Sequence, residues 1–289
     1  MSNRIFYPVA ITVVLTLAIL AWKAAIVRCI ADQIATAPPA LDGWKLVWHD
    51  EFDGKTVDDS KWQFEVNARG GGNNELQYYT SRPQNASVTN GFLVIQALRE
   101  TFTGSGGTRE FTSARLNTRN RGDWRCGRFD IRAKLPMGKG IWPAIWMLPS
   151  DRKYGGWPNG GEIDIMELVG HEPSRVHGTL HYGDDAKGHV YRGDSITLPS
   201  GNFSEEFHVF RLDWDPEEIR WYVDDKLYQT QKSWHTRGHP FPAPFDQRFH
   251  LILNLAVGGN WPGNPDKTTV FPQQLLIDYV RVYERIPVR

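Results

Sequence analysis

The sequence predicts an all-β protein, a sandwich or barrel built as a single domain. Three observations carry that expectation. From Trp44 onward apolar residues recur with a period of two, as in strands that bury one face. Turn-forming pairs such as Asn90-Gly91, Asp224-Asp225 and Gly258-Gly259 separate the apolar runs. Long amphipathic helical patterns are absent, which leaves short strands with Gly- and Pro-rich connections.

Taken in order, the strands are read as follows. Phe92–Leu98 is an apolar run that begins directly after the Asn90-Gly91 turn. In Gly127–Leu135, Phe129, Ile131, Ala133 and Leu135 alternate with Asp130, Arg132 and Lys134, a half-buried strand. Gly161–Leu168 is apolar between its acids and is treated below. Val209–Trp214 and Ile219–Val223 flank Pro216, which marks a strand end, and the second run stops at Asp224-Asp225. Phe249–Leu255 precedes Gly258-Gly259, and Leu275–Tyr283 is the last strand. Strand order is not readable from the residues.

The first 37 residues have a different character. Ile5–Trp22 carries no charge; Arg4 precedes it and Lys23 and Arg28 follow. With Ala35-Thr36-Ala37 this reads either as a signal peptide cleaved after Ala37 or as an uncleaved membrane anchor over residues 5–22. Both put the domain, residues 38–289, outside the cytosol, secreted or periplasmic, with membrane contact only through that segment. Pro38 and Pro39 read as a short stiff linker.

The 289 residues hold 33 basic and 33 acidic side chains, and this neutrality argues against a nucleic-acid partner. Without residues 1–37 the count becomes 30 basic and 32 acidic, a net of −2, and Cys126 is the sole remaining thiol. The exported domain therefore has no internal disulfide and must be held by burial. Cys126 lacks the pattern of a thiol nucleophile and reads as buried and inert. The 12 Trp, 10 Tyr and 14 Phe exceed what a core needs, and point to a flat polar ligand such as a sugar ring.

The chemistry is concentrated in Gly161-Glu162-Ile163-Asp164-Ile165-Met166-Glu167-Leu168. Glu162 and Asp164 share a strand face, but Glu167 is five residues from Glu162 and should point the other way. One extra residue near Ile165-Met166, a β-bulge, returns all three acids to one face and Leu168 to the interior. A helix would leave Glu162 and Glu167 about 140° apart. Two carboxylates about 5 Å apart repel by roughly 3 kcal/mol at an effective dielectric near 20, so such a cluster retains a proton. One ionised and one protonated carboxyl is the pair that glycoside hydrolysis requires. The spacing alone arises by chance in roughly one chain of this length in sixteen. Asp213, Asp215 and Glu218 repeat it, but Pro216 makes that set a strand end with solvated charges.

Around the acids, Trp142 and Trp146 share a face of an extended segment and Trp261 lies in a Gly-rich loop. All three are candidate sugar platforms, each against a plain core or surface role. His177 and His181 sit four apart, but Gly178 and Thr179 between them favour a strand over a helical metal pair, and His181 reads as a cleft-facing donor. Arg69–Asn74 reads as a flexible rim loop. No phosphate loop, nucleophile elbow or dinucleotide fingerprint is present.

This combination resembles glycoside hydrolase family 16, and within it the laminarinase-like endo-β-1,3-glucanases. The resemblance runs from Trp48-His49-Asp50-Glu51-Phe52 through Asn74–Tyr79, Ser113–Leu116, Gly161–Glu167 and Asn254–Gly263 to Asp278–Tyr283. It implies a β-jelly-roll sandwich with a concave substrate cleft. It implies Glu162 as nucleophile, Glu167 as acid/base and Asp164 as the assisting carboxylate, with Arg115, Trp142, Trp146 and His181 at cleft positions. The two residues between Asp164 and Glu167 match the laminarinase branch. The implied partner is a β-glucan, cleaved by a monomer with retention and without a cofactor for the chemistry. Family members also hold a structural Ca2+ away from the cleft, and the matching positions are Glu51, the Gly91 carbonyl and Asp278. Cys126 departs from the aromatic usual there. Two other readings stay open: a non-catalytic β-glucan-binding protein, and a family 16 hydrolase or transglycosylase acting on mixed-linkage glucan or galactan.

Overall fold

A computed structural model describes residues 38–184 and 188–287. The expected export segment, residues 1–37, lies outside the described residues. Residues Ala40–Arg289 cluster as one compact unit. Its strands are β1 (Trp44–Asp50), β2 (Gln63–Phe64), β3 (Gln77–Tyr79), β4 (Ala86–Thr89), β5 (Phe92–Gly104) and β6 (Gly107–Ser113). Next come β7 (Arg115–Asn117), β8 (Asp123–Trp124), β9 (Gly127–Lys134), β10 (Ile141–Pro149), β11 (Glu162–Glu167) and β12 (Arg175–Gly183). The last six are β13 (His189–Thr197), β14 (His208–Asp215), β15 (Glu218–Val223), β16 (Lys226–Gln231), β17 (Phe249–Val257) and β18 (Gln273–Arg285).

The strands form a sandwich of a ten-stranded and an eight-stranded sheet. The larger runs β16-β15-β14-β9-β18-β5-β6-β3, with β1 against β18 and β4 against β5. The smaller runs β13-β12-β11-β10-β17-β7-β2, with β8 against β17. Almost all pairing is antiparallel; β3 and β6 run parallel. Hairpin turns follow the glycine and asparagine signals. Asn90 and Gly91 both take positive φ (54° and 78°), as a two-residue hairpin turn demands. Asp224 and Asp225 do likewise between β15 and β16.

The core lies between the sheets and is made by the period-two residues. Leu93, Ile95 and Ala97 of β5 and Phe129, Ile131 and Ala133 of β9 face Ile163, Leu180, Leu251, Leu253 and Leu255 in one buried cluster. Aromatic contacts bridge the layers: Trp214 of β14 meets Phe249 of β17 edge-on at 5.4 Å between ring centroids. Truncating one of these leucines to alanine costs about 2–5 kcal/mol. Every residue of β17 is buried, because its odd-numbered side chains enter the core while its even-numbered ones lie under the open face of the sheet.

Two expectations are corrected here. Asp213 is not solvated: it is 3% exposed and clamped by the Arg211 guanidinium at 2.8 and 2.6 Å. Its strand neighbour supplies the counter-charge that a buried carboxylate needs. The decoy set does end a strand, since β14 stops at Asp215 and β15 starts at Glu218. Cys126 is only partly buried, at a positive φ of 69°, although burial still pushes its thiol up to about 11.

Candidate active site

The three acids lie on β11, and the strand carries the inferred bulge. Against β12, Asp164 pairs with Thr179 and Glu167 with His177, so Ile165 and Met166 on β11 oppose the single Gly178 on β12. Against β10, Met166 pairs with Ile145 and Asp164 with Trp146, which leaves Ile165 as the extra residue. Ile163, Ile165, Met166 and Leu168 are all buried in the core, while Glu162 and Glu167 are half-buried on the opposite face. A bulge frees a backbone carbonyl from the ladder. Trp221 of β15, in the other sheet, donates its indole N–H to the Asp164 carbonyl at 2.8 Å.

Electrostatics follow from crowding. Burial, then the Asp164 charge, pushes Glu162 up to about 8. Asp164 is raised to about 7 by burial, opposed by a hydrogen bond from Glu162. Glu167 lies well above its ordinary value through burial and the charges of Asp164 and Glu162. The cluster thus holds protons near neutrality, shared among its members. His181 places Nε2 3.2 Å from Asp164 Oδ2 and Nδ1 2.9 Å from His189 Nε2. Donor atoms of Glu162, Asp164 and His181 lie within 4.8 Å of one another, a set that a cation could also engage.

The tryptophans frame these acids. Trp142 and Trp146 project from the same face of β10, with small Ala144 between them. Trp142 donates its indole N–H to Glu167 Oε1 at 3.1 Å. Trp146 donates to Asn254 Oδ1 at 2.7 Å, and its ring is capped by the Arg115 guanidinium at 4.6 Å. Trp261 is 41% exposed and stands perpendicular to Trp142 at 5.6 Å, with His177 at 5.0 Å. Arg115, Trp142, Trp146, His181 and Trp261 therefore all gather around the acids.

The surface here is a continuous cleft with a narrow middle. The waist, of about 60 Å³, is lined by all three acids, Trp142, Trp146, Arg115, Asn254, Glu75 and the Gly71–Asn73 loop. On one side Glu167 borders a trough of about 580 Å³ with His177, His181, Tyr191 and Trp261. On the other, Arg115 borders one of about 590 Å³ with Glu65, Arg119 and Trp157. The acids therefore have a trough on either side.

Several of these residues escaped the sequence reading. Asn254 is the polar interruption in the apolar run of β17, a signal visible in the sequence but not used for a role. Glu65, Glu75, Trp157 and His189 come from distant loops and strand ends, with no local signal. The Arg69–Asn74 segment, expected as a flexible rim loop, is a short 3-10 turn against the waist.

The three calcium positions come to one rim of the larger sheet, since β1, β18 and the β4–β5 turn are neighbours there. The donor set does not fit a cation as it stands. Glu51 is held by Arg281 at 3.0 and 2.7 Å, and Asp278 by Arg132 at 2.5 Å. Both charges are already neutralised, so an ion would have to displace two guanidinium groups.

Comparison with known proteins agrees with this geometry. The profile of glycosyl hydrolases family 16 matches residues 73–281. A beta-glucanase of Rhodothermus marinus is 50% identical over 251 residues, covering 83% of this chain and 85% of the relative. A glucan endo-1,3-beta-glucosidase of Cryptopygus antarcticus is 46% identical over 232 residues, covering 78% and 84%. Among solved structures, the laminarinase from Rhodothermus marinus superposes with a TM-score of 0.77 at 49% identity, over 84% of this chain and 98% of that one. The sandwich fold is thus shared with a solved laminarinase, and the chain belongs to glycosyl hydrolases family 16.

Proposed function

We propose that the protein is an endo-acting β-1,3-glucanase that cleaves with retention through a glycosyl-enzyme. The observation that carries this is the bulged β11, which turns Glu162, Asp164 and Glu167 into one waist with a trough on either side. In the first step the ionised Glu162 attacks the anomeric carbon and forms an ester bond. The glycosidic C–O bond breaks as Glu167 gives its proton to the leaving oxygen. In the second step Glu167, now ionised, takes a proton from water; the hydroxyl attacks the anomeric carbon and frees Glu162.

At rest Glu162 donates its proton in a hydrogen bond to Asp164; transfer of that proton to Asp164 leaves Glu162 ionised for the attack and Asp164 neutral. Trp142 keeps the Glu167 carboxyl aimed at the waist through its indole N–H. Arg115, Trp146, His181 and Trp261 bind and orient the sugar chain. A non-catalytic glucan-binding role is disfavoured because both glutamates stand in the waist. Product analysis on laminarin, lichenan and agarose separates β-1,3-glucan from mixed-linkage glucan and galactan as the preferred substrate. Glu162→Gln should abolish laminarin turnover in a folded protein, and a variant that cleaves normally would overturn the assignment.

Export completes the proposal: residues 1–37 deliver a monomeric domain outside the cytosol, and N-terminal sequencing of exported material distinguishes cleavage after Ala37 from an anchor.

A further inference from the structure

The waist contains a fourth carboxylate that the proposed chemistry does not use. Glu75 is 8% exposed and lines the waist together with Gly71 and Asn73. Its Oε2 accepts from Gln77 Nε2 at 2.6 Å and from the Tyr79 hydroxyl at 3.3 Å. Its Oε1 has no such partner and is the atom that a Cβ on Gly71 would meet, at 2.0 Å.

The surrounding hydrogen bonds run in one direction. Trp146 donates to Asn254 at 2.7 Å, Asn254 Nδ2 donates to the Tyr79 hydroxyl at 3.2 Å, and Tyr79 donates to Glu75. The chain starts at a cleft tryptophan and ends on this carboxylate. Gln77 is locked as well, because its Oε1 accepts from the Val257 N–H at 2.7 Å, so its amide nitrogen must face Glu75. Every fixed partner of Glu75 is therefore a donor on Oε2. What remains for a ligand is Oε1, an acceptor only.

We infer that Glu75 is a substrate-binding residue whose Oε1 accepts a hydrogen bond from a hydroxyl of a neutral glucan residue in the waist, while Oε2 anchors the chain that orients Trp146. The inference rests on the reading of this cleft as a glucanase site and adds to it a specificity residue outside the catalytic acids. An acceptor locked in this way rejects a sugar whose hydroxyl is missing or substituted, because a buried carboxylate oxygen is then left unpaired.

The test is Glu75→Gln. Gln77 and Tyr79 would hold the new carbonyl oxygen, which turns the amide NH2 toward the waist and replaces the acceptor with a donor. KM for laminarin should rise about tenfold or more, with kcat within about threefold and the pH profile in place. A merely structural role would instead lower the melting temperature and leave KM alone. Should Glu75→Gln fail to fold, the shorter Glu75→Asp withdraws the acceptor from the waist while keeping its charge, and should raise KM too. An unchanged KM in whichever variant melts like the wild type overturns the inference. Wild-type protein that does not cleave laminarin overturns the glucanase reading instead, so the two failures are distinguishable.

Discussion

Replacing Glu162 with glutamine should make the protein more stable while it destroys activity. In the folded chain this carboxyl is pushed from 4.5 to about 8, by burial and by the Asp164 charge. Below about pH 4.5 the acid is protonated in both folded and unfolded chains, and the shift has no effect. As pH rises toward 8 the unfolded chain releases its proton while the folded chain retains it, so native stability falls across that window. The full shift corresponds to roughly 5 kcal/mol, and the partial opening of Glu162 to the cleft lets water screen it to about 2 kcal/mol at pH 7. A neutral amide has no such cost. For a domain of this size about 2 kcal/mol raises the melting temperature by roughly 4–8 °C. The assay is calorimetric melting of wild type and Glu162→Gln at pH 4, 5.5, 7 and 8. The gain should grow from near zero at pH 4 to its full value above pH 7. A gain independent of pH, or equal melting at pH 7, refutes the reasoning.

Three further outcomes follow from the same geometry. Asp164→Asn removes a negative charge that raises both Glu162 and Glu167; both should titrate lower, moving both limbs of the kcat/KM bell about one unit down in pH. A pH–rate profile that stays in place would contradict that. Trp221→Phe leaves the Asp164 carbonyl without its indole donor and should cost about 2 kcal/mol with a fall in kcat, checked by urea unfolding and turnover on laminarin; unchanged values would mean the bulge holds without the other sheet. Since Arg281 and Arg132 already neutralise Glu51 and Asp278, a chelator should leave melting and activity unaltered. A calcium-dependent rise in melting temperature would restore Glu51, the Gly91 carbonyl and Asp278 as a ligand set.

What the residues revealed in advance was whatever depends on local period and sterics. The bulge was legible because Ile163, Ile165, Met166 and Leu168 have to be buried together, which no regular strand or helix allows with three acids on one face. Trp142 and Trp146 were legible by the same parity. The far wall of the cleft was not, because Asn254 reaches it from a strand, and Glu65 and Glu75 from segments beside strands, whose neighbours depend on sheet order. Asn254 faces Trp146 only because β17 lies between β10 and β7. Asp213 was misjudged for a related reason: parity aligns it with Arg211 on one face of β14, and the pair is covered by the fold rather than by water. Glu51 and Asp278 were matched as oxygen donors by resemblance; their pairing with Arg281 and Arg132 was not legible, because it depends on which strands are neighbours.

In the proposed mechanism Glu162, on the bulged strand, forms the covalent bond to the sugar. Intact-mass and peptide mapping after incubation with a 2-deoxy-2-fluoro laminaribiosyl fluoride measures that directly. One adduct per chain is expected, located on Glu162 and absent from Glu162→Gln. An adduct on Glu167 or Asp164, or no adduct together with an inverted product by NMR, would contradict it.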